Sequence, residues 1–328
     1  MALFRRSRSP DDGSRPVRLY YASDIHGSEG LWRKFLSAAR VYEANVIIMG
    51  GDVTGKAVIP LAQTPDGYEM ELFGRHEALS DEQQIEAAET RIRANGMYPH
   101  RMTPREIERV SSLSEQEREE WFAEVMLETF DRWMELAAVR LADTDVRCFL
   151  MPGNDDPPGV DVSIENAARV EACDDRIVQF DQYTMVSLGY SNRTPFDSPR
   201  ELDESELYDR VDRLAGQIED HGRSIFNLHV PPYGSTLDTA AELDDDLSVV
   251  MVGSEPKLIP VGSTAVRELI ERYQPMLSLH GHVHESAAAT RIGRTLAINP
   301  GSDYHTGRIS GCLIALRGDG VRHQFVTG

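Results

Sequence analysis

The feature that most constrains this chain is a series of β-like apolar runs, each ending in side chains that can bind a metal. Val17 to Ala22 leads into Asp24-Ile25-His26, and Val46-Ile47-Ile48-Met49 into Gly50-Gly51-Asp52. Val146 to Met151 leads into Gly153-Asn154-Asp155-Asp156, Ser224 to His229 ends in that histidine, and Met276 to His280 leads into Gly281-His282-Val283-His284. A continuous apolar run such as Val46 to Met49 is the pattern of a strand buried on both faces, as in parallel sheets covered by helices. Between the first two runs Gly27 to Gly30 forms a turn, and Leu31, Phe35, Leu36 and Ala39 repeat at helical spacing. That is one β-α-β unit. Ligands in open α/β sheets gather outside the carboxyl ends of strands, so Asp24, His26 and Asp52 are expected to lie together.

Carboxylate oxygen, amide oxygen and imidazole nitrogen together suit divalent ions of hard to borderline character. One Gly-Asp pair after a strand is usually only a turn. Six or more metal-competent residues, each at a strand exit, predict a site for two metal ions.

The runs ending at Asp52 and Asn154 are separated by about 100 residues, whereas a complete β-α-β unit needs roughly 30. An insertion is therefore expected, at about 54–113 and mainly helical. Thr103-Pro104-Arg105-Glu106 and Ser114-Glu115-Gln116-Glu117 both read as capping boxes. The second opens an amphipathic helix carrying Phe122, Met126, Phe130, Trp133 and Ala137, read as the crossover itself. Residues Arg176 to Phe180, Thr184 to Leu188, and the stretches Thr290 to Ile298, Cys312 to Leu316 and Val321 to Val326 read as further strands, the last three antiparallel. Asp203 to Asp220 and Glu242 to Asp246 read as acidic surface.

With 54 acidic and 34 basic side chains the formal charge is −20, which repels polyphosphate backbones and anionic membranes. No nucleic-acid partner is expected on this ground. Cys148, Cys173 and Cys312 show no disulfide or metal spacing and fit a reducing compartment as buried thiols. No stretch approaches membrane-spanning length, and Arg5, Arg6 and Arg8 are followed by no apolar core. The expectation is a cytoplasmic protein with a disordered tail at 1–14 and one domain over 15–328.

In order and residue type these motifs resemble the calcineurin-like metallophosphoesterase superfamily. Its Asp-x-His, Gly-Asp, Gly-Asn-His-Asp/Glu, His and Gly-His-x-His pattern corresponds to Asp24/His26, Asp52, Asn154/Asp155/Asp156, His229 and His282/His284, over residues 17 to 285. The resemblance implies an α/β fold, a four-layer α/β/β/α sandwich of two mixed sheets flanked by helices. It implies one metal on Asp24, His26 and His284, a second on Asn154, His229 and His282, and Asp52 bridging the two. Manganese, iron or zinc would suit such a donor set. Two dications about 3.5–4 Å apart can share a water, lower its pKa and aim a hydroxide at phosphorus.

The sequence departs from the family at Asp155, which stands where the family has a histidine assigned to the phosphoryl oxygen or the leaving group. An ionised aspartate does neither well, although a nearby phosphate could raise its pKa and make it an acid. Asn154 and Asp155 are the residues expected at the reaction centre. Protein Ser/Thr phosphatases of the superfamily extend the second motif to Gly-Asp-x-Val-Asp-Arg-Gly; Gly51-Asp52-Val53-Thr54-Gly55-Lys56 lacks the arginine. Asn299-Pro300-Gly301-Ser302 resembles a turn of the small bacterial and archaeal phosphodiesterase members.

The leading expectation is a dinuclear phosphodiesterase acting on a small phosphoester. A non-catalytic scaffold of the same fold is the alternative, motivated by Asp155 and the insertion; a nuclease is a third and would need a basic groove. Tyr233 and His305 are candidates to line the substrate pocket, and His280 reads as a packing histidine.

Overall fold

A computed structural model describes residues 16–318 and 320–328. The tail expected at 1–14 lies outside the described residues.

Two six-stranded sheets face each other. From edge to edge the first runs Gly320–Thr327, Ser310–Arg317, Val17–Ala22, Val46–Met49, Arg147–Leu150 and Glu171–Ala172. The second runs Ala288–Ile292, Thr295–Asn299, Leu277–Leu279, Ser224–Leu228, Tyr183–Leu188 and Arg176–Phe180. Each has a parallel centre and an antiparallel margin: Val17–Ala22 pairs parallel with Val46–Met49 but antiparallel with Ser310–Arg317.

Alternation within each strand builds the layers. Leu19, Tyr21, Ile48 and Phe149 meet Met185, Ile225, Leu277 and Ile298 between the sheets. Tyr20, Ala22, Ile47, Met49 and Leu150 point the other way, onto helices Glu29–Val41, Glu115–Leu141 and Val160–Glu165. On the outer face of the second sheet Val186, Phe226 and Leu228 pack on Leu207, Val211, Val266 and Leu269 of helices Glu204–Ala215 and Thr264–Tyr273. The result is an α/β/β/α sandwich. Each fully buried Leu, Ile or Phe contributes about 1.5–3 kcal/mol.

The long crossover helix is Glu115–Leu141, capped by Ser114 through a complete capping box. Its Trp133 stacks on Trp32, at 6.0 Å between ring centroids, and the Trp133 carbonyl accepts the Trp32 indole N–H at 3.1 Å.

Two expectations are corrected. The insertion is not mainly helical: it holds a four-stranded sheet, Arg75–Leu79, Gly67–Leu72, Val58–Thr64 and Tyr98–Met102, with helices Glu82–Ala94 and Pro104–Ser111. A small core of its own, Leu61, Met70, Leu79, Ile85 and Ile92, joins that sheet to the first helix. The local signals were Asp66-Gly67, a hairpin dipeptide, and Phe73-Gly74, both residues with positive φ. High charge density concealed them, because the exposed face of an edge sheet is as polar as a surface helix. Asp203 to Asp220, read as acidic surface, contains the half-buried helix Glu204–Ala215. Its Glu204 accepts hydrogen bonds from Ser263 Oγ and the N–H groups of Thr264 and Ala265, at the start of the next helix. Among the described residues no helix is long and apolar enough to cross a membrane.

Candidate metal centre

All five motifs end at one rim of the sandwich. Asp24, His26 and His284 have ligand atoms close enough to share an ion, and so do Asp52, His229 and His282. The amide oxygen of Asn154 lies 3.0 Å from His229 Nε2 and 2.7 Å from His282 Nδ1. Asp52 sits between the groups, its carboxylate 3.4 Å from His229 Nε2 and 3.7 Å from His26 Nε2. The residues named from the sequence as ligands therefore gather in two adjoining sets, from opposite ends of the chain.

The backbone is unusual here. Asp24, His26, Asp52 and His282 all adopt positive φ, at 58°, 39°, 50° and 65°. For a residue other than glycine this left-handed conformation costs of order 1 kcal/mol, and such residues concentrate at functional sites. Each kink turns the chain sharply off a strand end and aims a side chain inward. Close approach does the rest: a Cβ on Gly153 would lie 2.1 Å from Asp52 Oδ1, and one on Gly281 2.3 Å from Asp24 Oδ2.

A surrounding set of hydrogen bonds orients these candidate ligands. His229 Nδ1 bonds to the carbonyl of Gly50 at 2.8 Å, leaving Nε2 to face the cluster. The N–H of His282 donates to Asp24 Oδ1 at 3.0 Å. Asn299 donates through Nδ2 to the carbonyls of Gly281 and Val283 at 3.2 and 2.9 Å, holding the His282 loop, and Ser302 Oγ donates to the Asp24 carbonyl at 2.6 Å. Asp156, fully buried, is a clamp. It accepts N–H groups of Val53, Thr54 and Gly153, joining the Asp52 loop to the Asn154 loop.

The electrostatics fit a cation. Asp24 and Asp52 are 1% and 2% exposed, and their ion pairs among the described residues are with histidines, not with Lys or Arg. Burial works against a charged His229, but Asp52 and Asp24 outweigh it and lift the imidazole to about 10. Burial drives His282 the other way, down to about 4, so it is a neutral donor at pH 7. His26 Nε2 faces His284 Nε2 at 3.0 Å, an approach of two ring nitrogens that suits a shared ion. Buried carboxylates balanced only by imidazoles form a donor set that divalent ions complete.

The remaining sequence candidates separate. Asp155 adjoins the two sets and makes a third possible donor group with His26 and Asp52; its Oδ1 accepts from Ser198 Oγ at 2.6 Å, and its N–H donates to Asp52 Oδ1 at 3.0 Å. Its other oxygen contacts the ammonium of Lys56. Burial disfavours charge on Lys56, yet Asp155 outweighs this and raises its pKa. Tyr233 is 44% exposed, and its described backbone bonds run to Ser263 and Arg267. His280 is buried, with Nδ1 at 2.8 Å from the Leu228 carbonyl and Nε2 at 2.8 Å from Ser278 Oγ, as a packing histidine should be. His305 is exposed beside Asp303. Its neighbour Tyr304 is the residue that reaches the site, with its ring centroid 4.7 Å from that of His26 and 5.8 Å from that of His284. Sequence reasoning did not single out Tyr304, Lys56 or Ser198 as site residues. For Tyr304 the available signal was its place just after Asn299-Pro300-Gly301-Ser302; the stretch before it, read as one antiparallel strand, is a hairpin whose second strand, Thr295–Asn299, also pairs parallel with Leu277–Leu279.

No family model matches the chain. Over 153 residues it is 30% identical to the uncharacterized protein MJ1162 of Methanocaldococcus jannaschii, a match covering 46% of this chain and 62% of that protein. The chain thus spans less than two thirds of the length of that curated relative. Among solved structures, TT1561 of Thermus thermophilus is similar with a TM-score of 0.51 and 12% identity, covering 94% of this chain and 99% of the other. A second crystal structure is similar with a TM-score of 0.53 and 13% identity, again covering 94% and 99%. At such identities the likeness is one of fold.

Proposed function

We infer that this chain, which has the fold and the ordered ligand motifs of the calcineurin-like metallophosphoesterase superfamily, is a metal-dependent phosphoesterase. One observation carries the reading: seven residues from five strand ends converge in two adjoining donor sets, with Asp52 between them. Asp24, His26 and His284 would hold one divalent ion and Asn154, His229 and His282 a second. When bound, such a pair supplies Lewis acidity towards phosphoryl oxygens and brings the pKa of water towards neutrality.

The chain's own residues fix where this happens. Asp52 is oriented by the N–H of Asp155 and by the loop that Asp156 clamps. Asn154 and the neutral His282 add no negative charge, so the loaded site keeps an attraction for an anionic ester despite the net charge of −20. His282 and His284 are half-buried, which leaves the cluster open to solvent on that side. A small phosphodiester is the substrate we favour, with manganese, iron or zinc as the ions, in keeping with the missing arginine of the protein phosphatases.

The test is hydrolysis of an aryl phosphodiester and the matching monoester by metal-free protein reloaded separately with manganese, iron, zinc and magnesium, beside Asp52→Asn. Turnover that requires metal and vanishes in the variant supports the enzyme. Stoichiometric metal with no turnover of either ester favours a scaffold.

A further inference from the structure

The carboxylate of Asp155 overlooks the metal-ligand cluster, with Oδ2 4.0 Å from His26 Nδ1. Left alone it would repel a phosphoester. It is not alone. Oδ1 takes the Ser198 hydroxyl at 2.6 Å and the Asn154 side-chain amide at 3.2 Å, while Oδ2 meets the ammonium of Lys56. Among the described residues, Lys56 is the one Lys or Arg paired with Asp24, Asp52 or Asp155.

The backbone on both sides of Lys56 is tied to Tyr98. On one side the N–H of Gly55 donates to Tyr98 Oη at 2.7 Å, and on the other the carbonyl of Ala57 accepts the N–H of Tyr98 at 2.9 Å. Gly55 is wedged so closely under the insertion that a Cβ there would lie 1.9 Å from the Gly96 carbonyl. Tyr98 opens the inserted strand Tyr98–Met102, so the inserted lobe grips the chain on both sides of this lysine. The side chain itself remains 66% exposed. An ammonium has three donors, and Asp155 engages one face of it, leaving the others directed to solvent at the edge of the site.

We propose that Lys56 is the phosphoryl-binding cation of this centre, anchored by Asp155 and presented by the inserted lobe. The ligand it would take is a non-bridging oxygen of a phosphate ester or of inorganic phosphate. Asp155 then acts as an anchor that positions the ammonium, and a second contact from Lys56 to the substrate offsets the repulsion that a bare carboxylate would exert. The inference rests on the phosphoesterase reading.

Inorganic phosphate is the probe. Its affinity for metal-reconstituted native protein, Lys56→Ala and Lys56→Arg is measured by calorimetry, with metal content by elemental analysis and the KM and kcat of an aryl diester alongside. Lys56→Ala should weaken phosphate binding by about tenfold or more and raise KM, with metal content unchanged, since a charge-assisted hydrogen bond is lost. Lys56→Arg should restore most of the affinity. Phosphate affinity in Lys56→Ala within about twofold of native overturns the role of Lys56 alone. Loss of metal from Lys56→Ala would make the lysine a structural residue and overturn it as well. A native protein that loads metal but neither binds phosphate nor hydrolyses the ester would overturn the phosphoesterase reading and this inference together.

Discussion

Asp156 and Thr54 are joined twice, the carboxylate Oδ1 accepting both the backbone N–H of Thr54 at 2.7 Å and its hydroxyl at 2.6 Å. These residues are 102 positions apart, on loops that leave adjacent parallel strands. The bond ties the Asp52 loop to the Asn154 loop, and with them the donor side chains they carry. Burial, with Asp52 nearby, raises the carboxyl of Asp156 to about 6, so the clamp forms against a desolvation cost.

Replacing Asp156 by alanine should destabilise the fold by about 3 kcal/mol or more, because the buried N–H groups of Val53, Thr54 and Gly153 lose their acceptor. Urea denaturation of metal-free protein measures it. A change below about 1 kcal/mol would mean that the loops hold each other without the clamp.

Metal binding should release protons at neutral pH. The metal-free imidazole of His229 is lifted to about 10 by Asp52 and Asp24 against the effect of burial, so it is protonated at pH 7 and must lose that proton to become a ligand. Calorimetry in buffers of differing ionisation enthalpy should show release of at least one proton at pH 7, since Asp24 raises His284 as well against burial, with affinity rising as pH approaches 10. Binding enthalpies independent of buffer would contradict this.

Gly153 has no room for a side chain. Its φ is not in the left-handed region, so alanine meets no backbone objection, but the added Cβ would lie 2.3 Å from the Asp52 nitrogen and 2.1 Å from Oδ1. Gly153→Ala should therefore displace the Asp52 carboxylate and cost about 1–3 kcal/mol, with a lower metal content than the native protein takes up. Elemental analysis of the purified variant decides; full metal content would show that the loops can separate freely.

The pH dependence of stability should carry a signature of Asp174. Burial raises its carboxyl to about 6, outweighing the Gly189 N–H and Arg200. A folded pKa above the unfolded one favours the fold when the group is protonated. This contribution is fully present below the unfolded value near 3.9 and is lost as pH rises through about 6. Asp174→Asn should gain thermal stability relative to native protein between pH 5 and pH 8. An unchanged difference in Tm across that range would overturn the assignment.

Much of this molecule was legible because the informative forces act locally. The strand Val17–Ala22 and the helix starts at Thr103 and Ser114 follow from apolar runs and capping side chains within a few residues of each other. Asp24, His26, Asp52, Asn154, His229, His282 and His284 stood out because polar residues at the ends of buried strands have one common place to point. The sheet inside the insertion was missed because its strands pair with one another and bury only a small core, which charged residues mask in one dimension. Lys56, Ser198 and Tyr304 belong to the site through distance in space alone. Lys56 meets Asp155 because the inserted lobe grips Gly55 and Ala57, and Tyr304 meets His26 because the last parallel strand returns beside the first motif's loop. The sequence by itself determined which residues could bind metal and on which kind of strand end they sit. Which ammonium, hydroxyl and ring surround them was decided by packing between segments up to 278 residues apart, where no local pattern records the contact.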